Sequence, residues 1–417
     1  MIKEGLVRSA GGSGTRRWRR CAVAAATALV VLTVTAATQA SSRAEGAPVH
    51  AAVSTRIAGQ YIVVLKGGLP IEPTRRSERR ARKEDARVAA SVKAKPRFEY
   101  DADIRGFAAH LTHKQLRELR HSKKVAHIEK NARVEETDTQ TGAPWNLTRI
   151  DERSLDLNGI YNYSPTAGAG VHVYVIDTGI QANNVDFGSR ASNGYDAIGG
   201  TGSGSDCNGH GTHVAGTIGG TKYGVAKRAT LVGVRVLNCA GSGTMSGVIA
   251  GVNWVMEHHV ADKSVANMSL GGGATPALDD AVHHLVESGV FVSVAAGNNN
   301  ANACNYSPAR APAAFTTAAS DNLDRKASFS NWGPCVDAYA PGVAITSDWI
   351  GSPTSINTIS GTSMAAPAVA GTAALYLAEH VSTPAGVTTW IRENATTGVI
   401  SNNPSDTANR LLYKADL

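Results

Sequence analysis

The amino-acid sequence predicts an α/β fold, a mainly parallel sheet with helices on both faces, preceded by a small α+β unit. Three observations carry that prediction. After Pro144-Trp145, short apolar runs rich in β-branched residues alternate with helical stretches, the rhythm of parallel strands and their crossover helices. Those runs are mostly apolar, as strands buried on both faces are. Charge also changes sign along the chain. Residues 1–137 hold 27 Lys and Arg against 13 Asp and Glu, a net of +14, whereas residues 138–417 hold 14 against 21, a net of −7. With 417 residues, 43 of them Gly and 18% charged, the chain has the length and composition of a loop-rich globular protein of two or three units.

The chain opens on Arg16-Arg17-Trp18-Arg19-Arg20, followed by an uncharged run from Cys21 to Ala40 that ends in small residues. Basic, then apolar, then small is the order of a secretory signal peptide, here residues 1–40. A permanent membrane helix is the other reading, but the run is rich in Ala and Thr, weakly apolar and barely ~20 residues long, which favours cleavage, and no later run approaches membrane length. The arginine cluster leaves the twin-arginine route open beside the general one. From Gln60 a small unit begins. Tyr61–Leu65 reads as a strand, Glu72–Val92 as an Arg-rich helix, and Phe107–Leu111 as a second strand. Thr112-His113-Lys114-Gln115 matches a helix capping box, and Val125–Glu129 is a third strand. Such a unit is small enough to be marginal alone, and its tail, Asn131–Thr137, runs directly into the larger unit. This fits a pro-region at 41–137, with a folded part at about 60–137. A nucleic-acid module is the other reading of its basic helix. The positive excess stops with this part, however, and the acidic remainder has no electrostatic reason to seek DNA or RNA.

In the larger unit, 138–417, strands are expected at Val171–Ile176, Leu231–Leu237, Ser264–Leu270 and Val290–Ala295. Helices are expected at His210–Gly220, Gly243–His259 and Ala277–Ser288. A last helix starts at Thr383-Pro384, a capping residue followed by a first-turn proline, and runs to about Asn394. Parallel sheets place their sites at the carboxyl ends of strands. Outside Cys21, the cysteines are Cys207, Cys239, Cys304 and Cys335. In an exported chain four suggest two disulfides, with three pairings open, and no C-x-x-C or Cys/His spacing supports a zinc site.

Three short motifs carry chemistry. Asp177 ends the first strand in Val175-Ile176-Asp177-Thr178-Gly179, where a carboxylate is equally at home as a turn residue. His210 opens a helix in His210-Gly211-Thr212-His213; two histidines three apart suggest metal, but no Glu accompanies them and no third ligand is visible. Ser363 lies in Ser360-Gly361-Thr362-Ser363-Met364-Ala365-Ala366-Pro367, ahead of a small apolar run. The glycine permits a tight turn, and the helix start offers free N–H groups and a favourable dipole, although Ser360 and Ser363 could simply cap the helix. Each motif alone is ambiguous. The order Asp, His, Ser, each at a strand end or helix start, is not.

That order, with Asp-Thr-Gly, His-Gly-Thr-His-Val-Ala-Gly and Gly-Thr-Ser-Met-Ala-Ala-Pro around the three residues, resembles the subtilisin-like serine proteases from about Pro144 to the C-terminus. Trp145, Tyr223-Gly224-Val225-Ala226-Lys227, Ser269-Leu270-Gly271-Gly272-Gly273 and Asn305-Tyr306-Ser307-Pro308 resemble the proteinase K branch. The cysteine spacing, 32 and 31 positions, resembles the aqualysin-like bacterial secreted members. The resemblance implies a subtilisin-like three-layer domain and a secreted serine endopeptidase, with Ser363 as nucleophile, His210 as general base and Asp177 orienting it. It implies Asn298, in Ala295-Ala296-Gly297-Asn298, as the side-chain donor of the oxyanion hole, beside the N–H of Ser363. His213 is left to packing. Gly241, Ser242, Gly243, Ser269, Leu270 and Gly271 would flank protein and peptide substrates as added strands. The small residues Gly271–Gly273 and Ala295–Gly297 leave a roomy pocket that suits an aromatic or aliphatic residue before the cleaved bond. Met245 stands where the branch has an aromatic.

The resemblance further implies the pairings Cys207–Cys239 and Cys304–Cys335, each closing a loop worth roughly 3–4 kcal/mol on the chain-entropy argument. No organic cofactor is implied. Structural calcium is, with Asp337 and the carbonyls of Pro312 and Ala314 as one ligand set. Asp151 and Glu152 partly match a second set, in which Asn158 replaces an acid. The front unit resembles the family's inhibitory pro-region, an α+β domain of ferredoxin-like type, with self-cleavage expected near Glu136 to Asp138. The expected product is a monomer that binds neither nucleic acid nor membrane. One position departs from the pattern: Ala368 follows Pro367 where the family has histidine, so altered helix packing is expected there. A reading of another class is a catalytically inactive homologue that serves as a binding protein.

Overall fold

The computed structural model of the chain describes residues 49–50, 56–67, 75–101, 104–132, 138–199 and 204–417. The expected signal peptide, Cys21, and positions 136 and 137 of the expected cleavage segment lie outside the described residues. Two compact units form, one built on residues 63–128 and the other on 129–417 together with 50–62.

The N-terminal part is α+β. Strands Val49–His50, Val125–Ala132, Arg56–Leu65, Arg105–His110 and Pro96–Asp101 lie side by side in that order, with helices Arg75–Ser91 and His113–Arg120. The Thr112 capping box is complete: its hydroxyl accepts from Gln115 N, and the Gln115 side chain accepts from Thr112 N at 2.9 Å. The strand Pro96–Asp101 is one the sequence reading lacks, because its exposed residues give no apolar run.

The larger unit is a three-layer sandwich. Its nine-stranded sheet runs, from one edge, Thr396–Thr397, Arg410–Leu411, Ala338–Pro341, Phe315–Ser320, Phe291–Ala295, Ser264–Met268, His172–Asp177, Thr230–Arg235 and Ala191–Asp196. All neighbours are parallel except the first pair. The two-residue period sorts side chains between two cores. Val173 and Val175 pack toward helices His210–Gly219 and Thr362–Glu379. Tyr174 and Ile176 pack toward Met245–His258 and Pro276–Glu287. Residues 173–176 are thus apolar on both sides of the strand because each face has its own helical layer.

The helix Thr362–Glu379 runs through the first core, and almost all of its side chains are buried. This explains its run of Ala and Gly: a helix covered on all sides needs small residues. Ala368 lies in that core with its side chain fully enclosed. The two disulfides, Cys207–Cys239 and Cys304–Cys335, are both formed.

Candidate active site

The sheet's carboxyl edge brings Asp177 and His210 together. Asp177 is the last residue of its strand and is wholly buried. Its Oδ1 accepts from Thr178 N at 2.8 Å and lies 2.7 Å from His210 Nδ1. An ionised carboxylate can only accept, so the proton sits on Nδ1 and Nε2 is left with its lone pair. Burial disfavours the imidazolium. The charge of Asp177, its hydrogen bond and the more distant Asp206 together outweigh burial, so the His210 pKa is raised above its ordinary value.

His210 is held by its helix start. Asp206 Oδ1 accepts from Asn208 N and Gly209 N, and Oδ2 accepts from Thr212 N and Oγ1, so one carboxylate closes the first turn. Thr178 Oγ1 accepts from Gly211 N at 2.8 Å, tying the strand end to the helix. Gly211 has to be glycine here, because a Cβ would fall 2.2 Å from the carbonyl of Gly179. His213, one turn on, is a different kind of histidine. It is buried, lies 3.0 Å through Nε2 from the Ile345 carbonyl and meets Trp349 edge-on. Burial pushes its pKa down to about 4, so it stays neutral.

Ser363 is the second residue of its helix. Pro367 lacks an N–H, so the Ser363 carbonyl has no intrahelical partner. That carbonyl accepts instead from Ser269 Oγ at 2.8 Å, and Ser363 Oγ donates to the Ser269 carbonyl at 3.1 Å. The proline therefore has a purpose: it frees the carbonyl that locks the serine to the neighbouring strand end. Among the described residues the hydroxyl is bonded to Ser269, not to the imidazole.

Asn298 is oriented by Thr362. Its Oδ1 accepts from both Thr362 N (2.9 Å) and Thr362 Oγ1 (3.0 Å), and the same hydroxyl accepts from Gly297 N at 3.0 Å. With Oδ1 pinned, Nδ2 is turned outward. A Cβ at Gly361 would stand 3.6 Å from both Asn298 Nδ2 and Ser363 N, so the two donors flank the same space. Buried Asn331 supports the loop from below: Nδ2 donates to Ala296 O, and Oδ1 accepts from Asn299 N and Ala301 N. The sequence motifs do not point to Asp206 or Asn331, and they give Thr362 no role of its own. The signal for Asp206 was local, an Asp three residues before a helix-opening Gly-His. Asn331 gave none, because its partners lie 30 or more positions away.

Two cavities adjoin these groups. One of about 590 Å³ is bounded by His210, Gly241–Gly243, Met245 and Ser269–Gly271. The other, of about 300 Å³, is bounded by Gly271–Gly273, Ala295–Asn298, Tyr306 and Ser363. All six positions expected to flank a substrate therefore border one or both. Met245 opens its helix and borders the larger cavity, with its methyl group lying against Gly272.

The calcium expectation at Asp337 meets a physical objection. Both carboxylate oxygens are taken: Oδ1 accepts from Arg392 Nη2 and from Nε at 3.0 Å, and Oδ2 accepts from Thr316 N at 2.6 Å. With a guanidinium already bonded to the carboxylate, Asp337, Pro312 and Ala314 as arranged do not fit a metal ion.

An oriented imidazole, a serine at a helix start and a preset amide donor, on the carboxyl edge of a parallel sheet, define the class of the Asp-His-Ser hydrolases. Comparison with known proteins narrows this. Residues 168–410 match the Subtilase family model, and residues 60–136 match Peptidase inhibitor I9. An extracellular serine proteinase of Thermus sp. (strain Rt41A) is 48% identical over 369 residues, covering 86% of this chain and 90% of that protein. Alkaline serine exoprotease A of Vibrio alginolyticus is 51% identical over 323 residues, which are 75% of this chain and 59% of that protein. The crystal structure of a cold adapted subtilisin-like serine proteinase superposes with a TM-score of 0.64 at 52% identity, covering 66% of this chain and 99% of that one. The chain belongs to the subtilase family; it is a serine proteinase that carries its own inhibitor-type pro-domain.

Proposed function

We propose that Ser363 attacks the scissile carbonyl of protein and peptide substrates, with His210 as general base and then general acid, and Asp177 holding the imidazole. The observation that carries this is the 2.7 Å contact between Asp177 and His210 Nδ1, which leaves Nε2 as the base. Rotation of Ser363 about χ1, from the Ser269 carbonyl toward His210, supplies the hydroxyl proton; side-chain rotation of this kind is fast beside turnover. Asn298 Nδ2 and the Ser363 N–H then receive the oxyanion. No step requires a metal or an organic cofactor. The calcium implied by the resemblance has no place in this reading at Asp337.

The substrate lies as an added strand between Gly241–Gly243 and Ser269–Gly271, read mostly through its main chain, which makes specificity broad. The residue before the cleaved bond enters the 300 Å³ cavity; Gly271, Ala296 and Gly297 give it space without charge, and an aromatic or aliphatic side chain fits. The chain is exported through residues 1–40. The pro-region, 41–137, blocks the cleft until self-cleavage near Glu136 to Asp138, and residues 138–417 act as a monomer.

Ser363→Ala in a secreting host tests the assignment. Casein hydrolysis and fluorophosphonate labelling are expected to disappear, and the pro-region to stay covalently attached. A variant that matures unaided and still cleaves casein would overturn it. An inactive wild type that fails to react with the fluorophosphonate would favour the binding-protein reading.

A further inference from the structure

We propose that this chain supplies its own cations at the two positions where the subtilase resemblance implies calcium, Arg392 at Asp337 and Lys414 at Asp151. The two sites are separate and the same thing has happened at each. At the first, Arg392 stands in the last turn of the helix Pro384–Asn394 and places Nε and Nη2 on Asp337 Oδ1. Arg410 adds a second guanidinium, donating to the Asp337 carbonyl at 3.3 Å. A divalent ion beside that carboxylate would face two like charges in a partly desolvated setting, where repulsion is only weakly screened.

At the second site the closure is more complete. Lys414 Nζ lies 2.8 Å from Asp151 Oδ1 and donates to the carbonyls of Ala415 (3.0 Å) and Leu417 (2.8 Å), so all three of its N–H bonds are used. Asp151 Oδ2 accepts from Asn162 N and Nδ2. The side chains of Lys414 and Asp151 are 2% and 4% exposed. Of the neighbouring positions, Asn158 Oδ1 is engaged by Ile160 N and the Glu152 carbonyl by Arg149. At each site both oxygens of the aspartate are thus already engaged, one by a cation and the other by N–H donors.

A metal stabilises in proportion to the logarithm of its free concentration; a tethered cation does not leave. The helix Pro384–Asn394 and the C-terminal segment 410–417 are therefore fastened to the larger unit independently of calcium. The resemblance supplies only where calcium would have sat; the pairs themselves are observed.

The enzyme as secreted, inactivated by a serine-directed phosphonylating reagent to prevent self-digestion, is compared with Asp337→Asn, Asp151→Asn, Arg392→Leu and Lys414→Met. Unfolding temperature is read in EDTA and in millimolar calcium chloride, and bound calcium per chain by atomic emission. Arg392→Leu, Lys414→Met and Asp151→Asn are expected to unfold at least about 5 °C lower, by the same amount in both media, because each strands a largely buried charge; Asp337→Asn is expected to lose less, since the Arg392 side chain it leaves is 42% exposed. Calcium content is expected to equal that of the wild type in both carboxylate variants. Loss of one calcium in Asp337→Asn or Asp151→Asn overturns the proposal, as does wild-type stability of Arg392→Leu or Lys414→Met in EDTA. Wild-type crystals soaked in calcium chloride give a check free of any folding defect: the ion is expected at neither carboxylate, and anomalous density at either one refutes the assignment. Casein hydrolysis measured before inactivation reports on the triad separately.

Discussion

Asp177 and Asp324 are both buried carboxylates of the larger unit, but one is paired with an imidazole and the other with a guanidinium. Arg149 grips Asp324 with Nε at 2.7 Å and Nη2 at 2.8 Å, a two-pronged bond between permanent charges. Asp151 and Asp337 are treated in the same way, by Lys414 and Arg392. Of these four carboxylates, Asp177 alone is paired with a group that gains and loses a proton near neutrality. The difference is between fixing a carboxylate and using it. A permanent cation would neutralise Asp177 for good; an imidazole lets its charge count when the base takes up a proton in the transition state.

The largest expected effect follows directly. Asp177→Asn keeps the shape but offers Nδ1 a donor or a neutral acceptor, which releases the tautomer and the charge. A loss in kcat of about 10,000-fold is expected, with little change in KM. The pH profile sharpens the point. Only neutral His210 is a base, and its pKa is raised, so the acid limb of wild-type kcat/KM is expected above pH ~6.5, falling as pH drops. In Asp177→Asn the main groups raising it are gone and the limb shifts toward acid. An unmoved limb would break the claim that Asp177 acts through the histidine's charge.

The opposite pair should respond in the opposite way. Arg149→Met strands Asp324 in the interior, and about 3–5 kcal/mol of stability is expected to be lost. At temperatures where the variant remains folded, kcat should be close to wild type, because neither group touches the cleft. A matching loss of kcat at low temperature would show that the two kinds of pair are not functionally distinct.

Asn298→Ala is expected to cost about 100–1,000-fold in kcat. Thr362→Val is the finer test, since it removes the hydroxyl that receives Gly297 N and donates to Asn298 Oδ1 while leaving Nδ2 in place. A smaller drop in kcat with unchanged KM is expected if Thr362 only positions the amide.

What could be read in the sequence divides along similar lines. The triad was legible because each member sits in a contiguous motif at a strand end or helix start, and the four central strands because their runs are mostly apolar. Phe315–Ser320 and Ala338–Pro341 were not, since Thr, Ala and Ser carry little apolar signal even when fully buried. The supports of the site were also hidden. Asn331 and the Ser269–Ser363 exchange join residues that only the fold brings close. Arg392 reads as a surface charge on a terminal helix until Asp337, 55 positions earlier, is found beside it. A ligand set inferred from one aspartate therefore missed the cation that already occupies it.

Asp348 extends the comparison to a carboxyl given no cation of its own. It is almost fully buried, its Oδ2 has no hydrogen-bond partner, and Gly216 and Gly220 pass close to it. Burial, and then the neighbouring charge of Asp186, push its pKa up to about 8. The oxygens of Asp186 both accept from the N–H of Lys222. The folded state thus holds a proton up to about pH 8 that the unfolded chain releases near pH ~4, and stability falls as pH rises between those values. Asp348→Asn supplies a permanently neutral side chain of the same shape. Its unfolding temperature, on the phosphonylated enzyme, is expected to exceed wild type by a few degrees at pH 9 and to match it at pH 5. An equal gain at both pH values would mean that the buried carboxyl is not the group that titrates, and a loss at pH 9 would mean that its charge is compensated by Arg190 after all.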